Sequence, residues 1–167
     1  MESIRGPTLW IKHKGIFDLN ELLQVIKDFW EQDFFKVHMP KYKYKIPTPK
    51  GQQHKVNMYA ERKMSEYVKF TVKIFIRAFD YKEVEIVKDG KKIKTGQGRL
   101  TVEVDGVLDL DFEKRFNGSA FLQGLQDFYH KYIIKYDICD YWEDELVLKM
   151  VGVAKLIREK CEQEAIT

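Results

Sequence analysis

Val68-Lys69-Phe70-Thr71-Val72-Lys73-Ile74-Phe75-Ile76-Arg77-Ala78-Phe79 decides the fold. Val68, Phe70, Val72, Ile74, Ile76 and Ala78 alternate with Lys69, Thr71, Lys73, Phe75, Arg77 and Phe79. Successive side chains of an extended strand point to opposite faces, so this period of two predicts a strand with one buried face. It is the longest and most apolar run of its kind in the chain, which puts it at the centre of a sheet.

The same period continues on both sides. Upstream, Tyr42, Tyr44 and Ile46 alternate with Lys41, Lys43 and Lys45, which gives a strand one apolar face and one ammonium-studded face. Pro47-Thr48-Pro49-Lys50-Gly51 then breaks the chain into a loop, and Val56, Met58 and Ala60 alternate with Lys55, Asn57, Tyr59 and Glu61 up to a turn near Ser65-Glu66. Downstream, Asp89-Gly90 is a hairpin signal, and a two-residue turn there pairs Ile86 with Ile93 and Glu85 with Lys94. Asp105-Gly106 fails the same test, because a two-residue turn would set Val102 against Asp109. Leu100, Val102, Val104, Leu108, Leu110 and Phe112 share parity, so the expectation is a three-residue turn or one long strand kinked at Gly106.

Helices flank this region. Asp18 caps the first, with Glu21 three residues on and Phe17 positioned to staple onto Leu22. Leu19, Leu22, Leu23, Ile26, Phe29 and Trp30 follow the spacing of one helical face. Before it, Thr8 to Lys14 reads as a short strand ended by Gly15. Asn117-Gly118-Ser119 opens a second helix with the stripe Phe121, Leu122, Leu125, Phe128, Tyr129, Tyr132 and Ile133. A third runs from near Asp140 to about Glu162 and aligns Trp142, Leu146, Met150, Val153, Ile157 and Cys161. Leu146-Val147-Leu148 also reads as a strand. Between Leu146 and Ile157 only Lys149 and Lys155 are charged. Both are expected towards solvent, and the apolar surplus around them offers a homodimer seam.

The expected architecture is α+β and a single domain over residues 1–167. An antiparallel, curved sheet of about five to seven strands carries an N-terminal helix and two C-terminal helices packed on one face. This element order resembles the helix-grip fold of the START-like lipid- and hormone-binding proteins, in which a C-terminal helix lies across a curved sheet.

At 167 residues the chain is long enough to bury a core without staples. Hydrophobic residues make up 44% and charged residues 33%, which argues against disorder, fibrous repeats and membrane spanning. Ten Gly and four Pro leave little room for linkers. No apolar run approaches the ~20 residues that cross a bilayer. The N-terminus has no apolar signal segment, and Cys139 and Cys161 form no CxxC pair. A soluble protein of the cytoplasm is the expectation.

Catalysis has little to build on. His13, His38, His54 and His130 lie far apart, and no two share metal-ligand spacing. Asp137, Cys139, Asp140, Glu143, Asp144 and Glu145 cluster at a helix start, where acids complement the dipole. Gly96-Gln97-Gly98 opens a strand rather than a helix, so it prepares no dinucleotide site. No catalytic residue, metal or cofactor is expected.

Two binding readings remain. A curved sheet lined by Tyr42, Tyr44, Phe70, Val72, Ile74 and Ile76, closed by Phe128 and Tyr129, would hold an apolar small molecule or lipid. Alternatively, residues 34–64 carry eight bases against Glu61 alone, although the whole chain is only +3. Lys41, Lys43, Lys45, Lys55 and Lys63, with Lys36, Lys50 and Arg62 nearby, would then contact nucleic acid or another polyanion while Tyr59 stacks on a base. A subunit with no small ligand is the third possibility.

Overall fold

The computed structural model describes residues 2–39, 44–116, 118–134 and 141–165. In chain order they form β1 (Glu2–Ile16), α1 (Leu19–Gln32), β2 (Lys36–His38), β3 (Tyr44–Thr48), β4 (Gly51–Lys63), β5 (Val68–Lys88), β6 (Lys91–Leu110), α2 (Ala120–Tyr129) and α3 (Glu143–Ala165), with a π-helical turn at His130–Ile134. The fold is α+β: a six-stranded antiparallel open sheet, one N-terminal helix and two C-terminal helices. The strand order is β1-β6-β5-β4-β2, with β3 also paired to β4, so β5 lies in the middle as its alternation requires.

The parity that defined β5 fixes the core. Val68, Phe70, Val72, Ile74, Ile76 and Ala78 are all buried, and the register sets Ile76 between Val102 of β6 and Val56 of β4, with Ile11 of β1 beyond Val102. Asp89 (φ 50°) and Gly90 (φ 75°) make the tight turn of a two-residue hairpin, where both positions need the left-handed region. Ile86 faces Ile93 and Glu85 faces Lys94, as the turn arithmetic demands. Gly106 lies within an unbroken β6, the single-strand alternative for this segment.

β1 is longer than the Thr8–Lys14 segment suggests. It begins at Glu2, passes a bulge between Arg5 and Thr8, and pairs along β6 as far as Ile16 against Gln97. The bulge falls at Gly6-Pro7, where proline has no N–H to give a ladder.

Two helices close the inner face. In α1, Asp18 accepts from the backbone N–H groups of Asn20 and Glu21, and Leu19, Leu22, Leu23, Ile26 and Trp30 are buried. α3 is helical through residues 146–148 and buries Leu146, Met150, Val153, Ala154, Ile157 and Cys161. It crosses β1 and β6 over Gly106, where a Cβ would stand 2.4 Å from the Met150 sulfur and 3.3 Å from Leu146 Cδ2. A side chain here would have to displace the Met150 thioether and tighten against Leu146, so glycine suits the close seat of α3. Lys160 bridges Glu21 at 2.5 Å, and Lys149 bridges Asp33 at the end of α1 and lies 3.6 Å from Glu145. Lys149 is therefore a tie between helices, with a side chain only 20% exposed, and not the solvated residue expected; Lys155 is in solvent.

α2 behaves differently. Ser119 caps it by accepting from the Leu122 N–H, but none of its residues is buried. Phe121, Leu125, Phe128 and Tyr132 are exposed, whereas Tyr129 of the same stripe packs against Tyr67 and Phe116, so the stripe meets the body of the fold through only part of its length. Leu148 and Val151, on the outer side of α3, are exposed as well. No helix among the described residues is long and apolar enough to cross a membrane.

These contacts rank the side chains. Leu146→Ala and Ile157→Ala each cost about 2–5 kcal/mol, and together they remove most of a stability of roughly 5–15 kcal/mol. Gly106→Ala costs about 1–3 kcal/mol by overpacking. Phe121→Ala and Leu148→Ala stay within about 0.5 kcal/mol. Urea denaturation midpoints give the comparison, and a wild-type midpoint for the Leu146/Ile157 double variant would remove α3 from the core.

Candidate functional site

The sheet face turned away from α1 and α3 is covered by no element among the described residues. Its outward side chains come from the positions between the core residues, and the registers align them in rows across the strands. One row is Lys12, Thr101, Arg77 and Lys55; the next is Trp10, Glu103, Phe75 and Asn57. Lys14, Arg99 and Phe79 form the row at the end of the sheet. In the other direction come Thr8, Asp105, Lys73, Tyr59 and His38, then Arg5, Val107, Thr71, Glu61 and Lys36.

Charge divides this face into two halves. Towards the Ser3 end, bases and acids neutralise one another. Lys69 bridges Glu61 at 2.5 Å, His38 lies 3.2 Å from the same carboxylate, and Lys63 is 3.5 Å from Glu113. Ser3 and Thr71 donate to Asp109. At the opposite end, Lys12, Lys14, Lys55 and Arg77 form no ion pair among the described residues, and no acid stands in their two rows. Arg99 bridges Asp80 at 2.9 Å and lies over the Phe79 ring at 5.6 Å. Beside this end is an open cleft of about 750 Å³, lined by Lys14, Lys50, Lys82 and Arg99 with Asp80 as its one acid. The basic end continues past it into the β5–β6 hairpin arm.

Aromatic rings stand among these charges. Trp10 is 50% exposed, and Tyr59 is 42% exposed with its ring stacked on His38 at 4.9 Å and 23°. Phe75 and Phe79 are half-buried between cation-bearing neighbours.

The expected site residues are distributed across the molecule. Lys41, Tyr42 and Lys43 lie outside the described residues, as do Asp137, Cys139 and Asp140. Tyr44 stands in register with Lys55 and Lys45 with His54, so β3 runs one residue out of phase with the expected alternation; Ile46, in phase with Tyr44, is 40% exposed. Phe70 and Ile74 are fully buried in close-packed core, Phe70 with its ring 6.0 Å from Trp142. Phe128 is 54% exposed and meets Tyr132, while Tyr129 packs edge-on to Tyr67 at 5.9 Å. Phe128 thus points away from the core in which Phe70 and Ile74 lie, because α2 does not lie down on the sheet. Of the expected basic set, Lys55 joins the unpaired group, whereas Lys63 is eight residues along the same strand, about 26 Å away, in the neutralised half. Lys12, Lys14, Arg77 and Arg99, which complete this basic end, were not among the expected residues. Their signal was present, as bases out of phase with core residues, but only strand pairing brings them together.

Among the described residues no three His, Cys, Asp or Glu side chains gather where they could hold a metal. His54, which alternation puts on the inner face, has both ring nitrogens out of solvent and meets Tyr81 edge-on at 5.2 Å. No family model matches the chain, and no curated protein matches it.

The neutralised half has a pH signature. The hydrogen bond from Lys69, reinforced by that charge and by His38 and opposed by partial burial, holds the Glu61 carboxyl below the usual glutamate range. A lowered folded-state value means that the carboxylate's stabilising contribution is complete above the ordinary glutamate pKa and is lost as pH falls through the lowered one. An NMR titration should place the Glu61 midpoint below that of an exposed glutamate, and Lys69→Ala should move it up. An unshifted midpoint in wild type would contradict the Lys69–Glu61 pair.

Proposed function

We propose that the protein is a non-enzymatic binding module for polyanions, engaging phosphate-bearing chains through the basic end of its open sheet face. One observation carries this reading: Lys12 and Lys14 of β1, Lys55 of β4 and Arg77 of β5 occupy adjacent rows with no acid in those rows and no ion pair among the described residues. Like charges on neighbouring strands repel and lower stability. A polyanion relieves that repulsion and gains entropy from the counterions it releases. The nearby Lys50, Lys82 and Arg99 extend the same potential into the cleft. Nucleic acid is the partner class that fits an extended row of cations.

A second reading keeps an apolar small molecule or lipid between the sheet and α3. Trp30 favours it. Its indole is fully buried, and the Nε1–H donor meets no acceptor among the described residues, so a ligand oxygen there would satisfy it. Native mass spectrometry separates the readings by testing for an adduct on the purified chain.

For the polyanion reading the measurement is fluorescence anisotropy of a labelled oligonucleotide. Four phosphate contacts give a slope of log Kd on log salt of roughly 3, close to a fiftyfold weakening between about 50 and 200 mM salt. Lys12→Glu with Arg77→Glu should abolish binding at the lower salt without unfolding the chain. No binding by wild type at the lower salt, or an unaffected double variant, would reject the proposal.

A further inference from the structure

We infer that the polyanion bound on this face is single-stranded nucleic acid, lying across the strands with its phosphates on the Lys12–Arg77–Lys55 row and its bases on the Trp10–Phe75 row. The inference rests on the polyanion reading of the same face and adds the class of ligand. The two rows are two residues apart along each strand, about 6.6 Å, and adjacent strands are about 4.8 Å apart. A chain crossing the sheet therefore meets a cation on β1, then on β5, then on β4, while the parallel row offers a ring on β1 and another on β5.

The aromatic row sets this ligand apart from other polyanions. Trp10 is half exposed on a face that no element among the described residues covers, in one row with Phe75 and next to the row of Tyr59, so the rings form a group rather than a single exposed side chain. Bases present a π-face whatever their identity, and stacking on exposed aromatics of an open sheet is how unpaired bases are held. In a duplex the bases are stacked on one another and closed to a flat surface. Sulfated or phosphate polymers have no aromatic ring to offer. Glu103, between Trp10 and Phe75, belongs with this row: a carboxylate repels phosphate but accepts from the exocyclic amine of a base such as cytosine. Its position among the rings, and its absence from the cation row, match phosphates on one line and bases on the other. The Lys14–Lys50–Lys82–Arg99 cleft then lies on the phosphate side of the cation row.

The experiment compares three probes by anisotropy or competition on the full chain: a mixed-sequence single strand of about twelve nucleotides, its duplex, and inorganic polyphosphate of similar charge. The single strand should bind about tenfold tighter than the duplex. Trp10→Ala should weaken it about tenfold yet leave polyphosphate unchanged, and Trp10→Phe should restore most of the loss. Tryptophan emission of the wild type should be quenched by the single strand and not by polyphosphate, a readout that needs no variant. If all three probes bind alike and Trp10→Ala affects none, the single-strand inference is overturned while the polyanion reading stands. If no probe binds, both fall.

Discussion

The close seat of α3 over Gly106 is the constraint on which the rest of the molecule depends. Because Met150 and Leu146 can descend onto β6 there, α3 covers β1 and β6 while α1 completes the cover on the same side. Both helices are thereby committed to one face. Among the described residues no further helix packs on the other, and alternation turns about half of each strand's side chains outwards. The helix seat on one side and the bare sheet on the other are two results of one packing choice.

That choice explains which features were legible in the sequence. Strand parity, the Asp89-Gly90 turn, the Asp18 cap and the apolar stripe of α3 are local patterns, and each reports a backbone conformation directly. Spacing also identified the α2 stripe, but it could not say whether anything covers Phe121 or Phe128, since periodicity names a face and not its partner. The same holds for Lys149. Its place on the helix suggests solvent, yet Asp33 arrives from another element more than a hundred residues away.

The basic end was harder to see for a related reason. The charge count over residues 34–64 drew attention to one segment, but an extended strand carries its successive bases apart, and Lys55 and Lys63 end in halves of opposite character. The bases that do meet are numbered 12, 14, 55, 77 and 99, and only the register of β1 on β6 and of β5 between β6 and β4 joins them. Sequence supplied the residue types and their phase. Topology supplied their proximity. β3 shows how much a single residue of phase matters, since its offset puts Tyr44 opposite Lys55 and not opposite a core position.

The pairing of β1 with β6 also has a consequence in time. Ile16 finds its partner at Gln97 and Glu2 at Leu110, so β1 is made before the other described strands and is completed by the last of them. At about 5–20 residues per second, β1 waits roughly 5–20 s for β6 to be made. Until then the β6 side of its ladder does not exist, and Leu9 and Ile11 lack Val104 and Val102 beside them. Contacts of such long sequence separation also slow the closing step, because the loop entropy is lost before the ladder forms. Lys12 and Lys14 put two ammonium groups on β1, which stands at the edge of the strand order, and charged residues of that kind disfavour pairing of an edge with a neighbour's.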